Sequence, residues 1–215
     1  MMTRQHLAPR SARPAPTRAS LGTHALRAVG AAVLLALLAG CASTGGGGSA
    51  DGRSALPANV YRQSSILPAS LKRVAILPLH VIGQDPTLND GRDALEPIVH
   101  AELLRCARFE LVPVARENLR QWTGRTGWAY TDALPRDLFS RVTKETGCDA
   151  VMFCQLTHYK PYPPVAIGWR MHLVDPSGPT IVWAVDEIFE GSQDSVAGPA
   201  RSYYKRHFAT PTGAE

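Results

Sequence analysis

The chain has 215 residues, 45% hydrophobic and 19% charged, which excludes wholesale disorder. Four cysteines in this length exclude a disulfide-dense scaffold. The net charge of +5 comes from five arginines (Arg4, Arg10, Arg13, Arg18, Arg27) within residues 1–40, which carry no lysine and no acid; the remainder has 18 Lys+Arg against 18 Asp+Glu, which removes the main argument for nucleic acid.

Residues 1–40 follow the order of a secretory signal: a basic region, the apolar run Ala28–Leu38, then small residues. Eleven helical residues at ~1.5 Å each fall well short of the ~30 Å hydrocarbon core, so the run is no permanent span. Leu38-Ala39-Gly40-Cys41 closes it. These four residues resemble the lipobox of bacterial lipoproteins, which implies that the Cys41 thiol is acylated and the signal removed before it. An ordinary cleavage site with an incidental cysteine, or an organelle transit peptide, are the competing readings. Ala42, where an aspartate would favour retention at the inner membrane, implies by the same resemblance an outer-membrane address. Residues 41–70, opening Cys-Ala-Ser-Thr-Gly-Gly-Gly-Gly-Ser, are too poor in apolar periodicity to bury surface, and read as a flexible tether.

The pattern changes at residue 71. Lys72–Leu79 reads as a buried strand, and Gly83, Asp85, Pro86, Asn89, Asp90 and Gly91 as a loop. Asp93-Ala-Leu-Glu96 has capping-box spacing and predicts a helix to Cys106, with Pro97 in its first turn. Phe109–Val114 is a second strand, Arg116–Trp122 a short helix, and Thr123–Asp132 a loop. A helix marked by Leu134, Leu138, Phe139 and Val142, with Pro135 in its first turn, ends before Gly147. Asp149–Thr157 is a third strand, interrupted by Lys160–Pro164. Val165–Val174 and Thr180–Phe189 flank Asp175-Pro-Ser-Gly178 as a hairpin, and Ser195–Phe208 forms a last helix burying Tyr204 and Phe208, with residues 209–215 as a disordered tail. In the second hairpin strand Trp183 and Ile181 should share the core face.

The expected fold is a single α/β domain over 71–208, β-α-β-α-β followed by a β-hairpin and a helix, with parallel strands joined by helical crossovers in a mixed sheet. Lys72–Pro78, Phe109–Val112, Gly147–Val151 and Leu173-Val-Asp175 through Trp183 resemble an envelope α/β domain found in three kinds of protein. They are the amino-terminal domain of the Tol-system periplasmic protein, the curli-secretion channel subunit and lipoprotein activators of penicillin-binding proteins. The resemblance implies fold and envelope location.

Signals for chemistry are sparse. The Gly45–Gly48 run follows no strand, and no G-x-S-x-G, H-E-x-x-H or C-x-x-C occurs, so neither an enzyme nor a cofactor is expected. His80 and His158 follow strands one and three, at the edge where α/β sheets bind ligands, and with Asp85 or Asp90 they are weak candidates for a metal-dependent hydrolase. Trp122, Trp128, Tyr130, Tyr159 and Tyr162 lie in or beside loops, where aromatics serve as partner anchors or pack as satellite core. Trp128 in particular should be peripheral. Arg201, Lys205, Arg206 and His207 read as a solvated helix face. Cys106 and Cys148 both precede a strand and suit a disulfide if the two lie within bridging distance; Cys154 should be a buried thiol. The chain thus reads as a non-catalytic interaction module, anchored to a bilayer through Cys41 and facing an unknown envelope protein. The alternative is a structural subunit of a secretion or envelope-assembly complex.

Overall fold

The computed structural model describes residues 57–207; the signal region, Cys41, most of the expected tether, Phe208 and the tail lie outside them. In chain order they form β1 (Val60–Arg62), β2 (Arg73–Ile76), β3 (His80–Val81), α1 (Pro86–Arg105) and β4 (Glu110–Pro113). There follow α2 (Arg116–Thr123), α3 (Leu138–Thr146), β5 (Ala150–Lys160), β6 (Ala166–Asp175), β7 (Thr180–Glu190) and α4 (Asp194–His207). The strands make one mixed sheet in the order β1-β7-β6-β5-β2-β4, with β3 also on β5. β2 pairs in parallel with β4 and β5, as helical crossovers require, and β5, β6, β7 and β1 run antiparallel in turn. The domain is α/β, with helices packed on a mixed sheet.

Alternation along the strands sends side chains to two cores. Val74, Ile76, Met152, Leu156, Trp169, Met171, Trp183 and Val185 pack on one face with Leu95, Val99 and Leu103 of α1 and Val196 of α4. Ala75, Leu77, Val151, Phe153 and Val174 pack on the other with Leu119 of α2 and Leu138 and Val142 of α3. Among the described residues no helix is long and apolar enough to cross a membrane.

The structure departs from the sequence reading at several points. The expected tether contains β1, whose Val60, Tyr61 and Arg62 pair with Val185, Ala184 and Trp183; the Glu187 carboxylate fixes its approach by accepting from the Ala58 and Asn59 N–H groups, both at 3.0 Å. The first strand breaks at Pro78. Glu96 and Arg116 clamp the break, accepting from Leu79 N–H (2.7 Å) and donating to Leu79 C=O (3.2 Å), while pairing with each other at 2.5 Å. Helix α1 starts seven residues early, because Asp85 accepts from Thr87 N–H (2.8 Å) and Pro86 takes the first helical position, where its missing N–H costs nothing. Pro97 is therefore inside the helix, and Asp93 pairs with Arg92 at 2.7 Å. Gly91 brings this helix against β5: a Cβ there would lie 2.5 Å from Tyr159 Cγ.

Pro135 precedes α3. β5 runs on to Lys160, and residues 161–165 join it to β6 as a turn. On β7 the pairing slips between Leu173/Trp183 and Val174/Ile181, so Val182 bulges and Ile181 leaves the Trp183 face. In α4 Tyr203 is buried and Tyr204 is 40% exposed, the reverse of expectation, because Tyr203 O–H reaches Glu102 Oε1 on α1 (2.8 Å), which Arg105 also holds at 2.6 Å. The Cys106–Cys148 disulfide does not form. Cys106 caps α1, its thiol on Glu102 C=O (3.1 Å), whereas Cys148 belongs to the core on the opposite face, so sharing a sheet edge does not bring them together. Cys154 is buried, which pushes its thiol up to about 12 and leaves it inert.

Candidate functional site

The five loop aromatics do not form one surface. Trp128 is 5% exposed, so its placement at the periphery is corrected: the 123–132 loop folds inward beside α2 and α3. Its indole N–H donates to Thr123 Oγ1 at 2.8 Å, and the Arg125 guanidinium lies 4.1 Å over the ring centre. Trp122 packs against the same core. Tyr159 lies on the other face beneath α1, and Tyr162 stands 77% exposed in the β5–β6 turn. Tyr130 alone reaches the open sheet, its ring 5.0 Å from His172 and 5.6 Å from Phe153, its O–H on Pro179 C=O at 3.3 Å.

Beyond Tyr130 no described helix packs on this sheet face. The core on this side takes Val174 from β6 and nothing from β7. What remains follows from register. One cross-strand row runs Phe153, His172, Ala184, Tyr61; the next runs His80, Gln155, Arg170, Asp186; Gly168 and Ile188 form a third. Tyr61 and Ile188 are 52% and 49% exposed. Between them the Arg170 Nε and Nη2 both donate to Asp186 Oδ2, at 2.8 and 2.7 Å, so the charge at the centre is internally neutralised. Gly168 is buried against β5, where a Cβ would meet Thr157 Oγ1 at 2.5 Å and His158 Cβ at 2.8 Å. Gln155 is 2% exposed, with neither side-chain amide atom hydrogen-bonded. Desolvation by burial holds the His172 imidazole below its ordinary pKa, helped by Arg170 and opposed by Asp186. His80 is likewise lowered by burial, against the pull of Asp132.

The metal reading finds no geometry. His80 sits beside Gly127 under the 123–132 loop, His158 is exposed on β5, and Asp85 caps α1. Among the described residues no group of three His, Cys, Asp or Glu side chains is placed to hold an ion. The sequence reading missed Tyr61, His172, Arg170, Asp186 and Ile188. The signal was present as Gly168, Arg170 and His172 on β6 and Ala184 and Asp186 on β7, polar or small residues at alternate positions opposite the buried set; Ile188 carries no such signal.

No family model and no curated protein matches the chain. Solved structures do. Lipoprotein GNA1162 from Neisseria meningitidis is 16% identical with a TM-score of 0.42, covering 66% of this chain and 99% of that one. The PelC L103M dodecamer from Paraburkholderia phytofirmans gives 14%, 0.40, 66% and 89% in the same order. The LpoB C-terminal domain from Salmonella enterica gives 15%, 0.35, 55% and 82%. All three come from bacteria, and the first is named as a lipoprotein.

Proposed function

We propose that this chain is a bacterial envelope lipoprotein, held by acylated Cys41 to the outer membrane and facing the periplasm, whose α/β domain is a non-catalytic protein-interaction module. The observation that carries it is the sheet face beyond Tyr130, over which no described helix packs. Tyr61, Tyr130 and Ile188 flank a self-neutralised Arg170–Asp186 pair, giving aromatic and aliphatic side chains beside a paired charge. Such a surface suits a protein partner, because aromatic side chains bury large area at low entropic cost and a paired charge needs no counterion from across the interface. The tethered anchor adds affinity by holding the face at high local concentration near the bilayer.

The test is in-membrane crosslinking and pull-down with the native chain, compared with Tyr61→Ala and Ile188→Ser. Each variant should weaken recovery of the same partner by about tenfold, as loss of an aromatic or aliphatic anchor does. Undiminished recovery by both would reject the face.

A further inference from the structure

A groove of about 440 Å³ opens at the end of the sheet where β2 and β4 begin. Leu67, Leu71 and Phe109 form its floor, continuous with the α1-side core. Ile66 stands on its lip at 67% exposure. Lys72 and Arg108 line it, and among the described residues no acid does. The nearby acids are already engaged: Glu110 pairs with Arg73 at 3.2 Å, and Asp149 accepts from the Lys72 and Arg73 N–H groups at 3.1 and 2.9 Å. The groove therefore offers an apolar wedge beside two side-chain cations that form no ion pair among the described residues, the combination that suits the headgroup–acyl boundary of an anionic bilayer.

The chain outside the described residues favours the same occupant. Because β1 is part of the sheet, only residues 42–56 separate Cys41 from the domain. A Gly/Ser-rich run of that length spans about 20 Å as a coil, so an anchor at Cys41 keeps the domain within its own diameter of the bilayer. We propose that this groove seats the domain on anionic phospholipid, with Lys72 and Arg108 on phosphate groups and Ile66 inserted beside them. The proximity argument rests on the Cys41 anchor; the groove's chemistry does not.

The experiment uses the mature chain from residue 41 with Cys41→Ser, so that binding cannot come from an acyl group. It is sedimented with vesicles of phosphatidylethanolamine and phosphatidylglycerol, and with phosphatidylcholine alone. Binding should require phosphatidylglycerol and weaken with salt. Lys72→Gln and Arg108→Gln should each lower it about fivefold, and Ile66→Ser roughly tenfold. Tyr162→Ser, in the turn at the opposite end of the sheet, should leave it unchanged, and thermal melts by circular dichroism confirm that each variant is folded. No binding of the folded parent, equal binding to phosphatidylcholine, or undiminished binding by the Lys72→Gln/Arg108→Gln pair overturns the proposal; any of these would turn the groove toward an acidic protein segment. The intact mass of the native membrane-extracted chain reads the acyl anchor independently, so failure of the groove and failure of the anchor are distinguishable.

Discussion

Replacing Trp128 and Trp183 by phenylalanine should separate two tryptophans that burial alone makes equivalent. Both are 5% exposed. Each substitution removes the same part of an indole ring, so the transfer and cavity contributions are similar. The ring nitrogens differ. Trp128 Nε1 donates to Thr123 Oγ1 at 2.8 Å, whereas Trp183 Nε1 is buried without a partner. Trp128→Phe therefore loses a hydrogen bond worth about 1 kcal/mol, and part of the Arg125 stack worth about 0.5–1 kcal/mol. Trp183→Phe relieves a buried donor whose desolvation costs about 1–3 kcal/mol, which offsets its lost contacts. Trp128→Phe should therefore be the more destabilising by about 2–5 kcal/mol, the sum of the two effects. Urea melts read this as a lower midpoint at unchanged slope. Thr123→Val should erase most of the difference in a double-variant cycle. Equal losses, or a larger loss at Trp183, would refute the reasoning.

Gly91→Ala places a methyl 2.5 Å from Tyr159 Cγ and 2.9 Å from Leu156 Cδ2, so it should cost about 1–3 kcal/mol in a urea melt, and Tyr159→Ala should relieve part of that clash. His80, His100 and His172 are all held below 6.5 chiefly by burial. The unfolded chain then binds protons first, so stability is full above about pH 6.5 and falls as pH drops below it; urea midpoints across that range should show the decline, and His172→Gln should flatten it. Cys41→Ser should leave the precursor uncleaved and without lipid, read by intact mass and detergent partitioning.

The sheet was legible because its signals are local. Apolar runs at Val74–Ile76 and Ala150–Phe153, joined by helical stretches, imply parallel strands, and the Asp175–Gly178 turn implies the hairpin. What escaped depends on partners distant in sequence. Three residues at Val60–Arg62 carry no periodicity of their own and become a strand only because β7 offers an edge. The start of α1 was hidden because Asp85 and Pro86 serve equally as turn residues and as a helix cap with its first position, and Gly91 looks like a breaker until Tyr159 is seen against it. Trp128 lies in a Gly-flanked loop, and only the packing of α2 beside α3 draws it inward. The spacing of Cys106 and Cys148 fixes a sheet edge but not a sheet face. Of the candidate surface, the alternation of Gly168, Arg170 and His172 and of Ala184 with Asp186 could have been read from sequence; the absence of a described helix over it could not.

Both outer strands are short. β1 has three residues, and β4 has four and finishes at Pro113, whose ring offers no N–H. Growth by adding strand to strand needs a run of unsatisfied donors and acceptors in register, and neither margin presents one of useful length. Strand addition is therefore disfavoured at both margins of the described sheet, and higher-order assembly should rely on side-chain surfaces. Its stoichiometry should then be a matter of shape, tunable by single substitutions, and its tendency to seed fibrils should be low even at high local density.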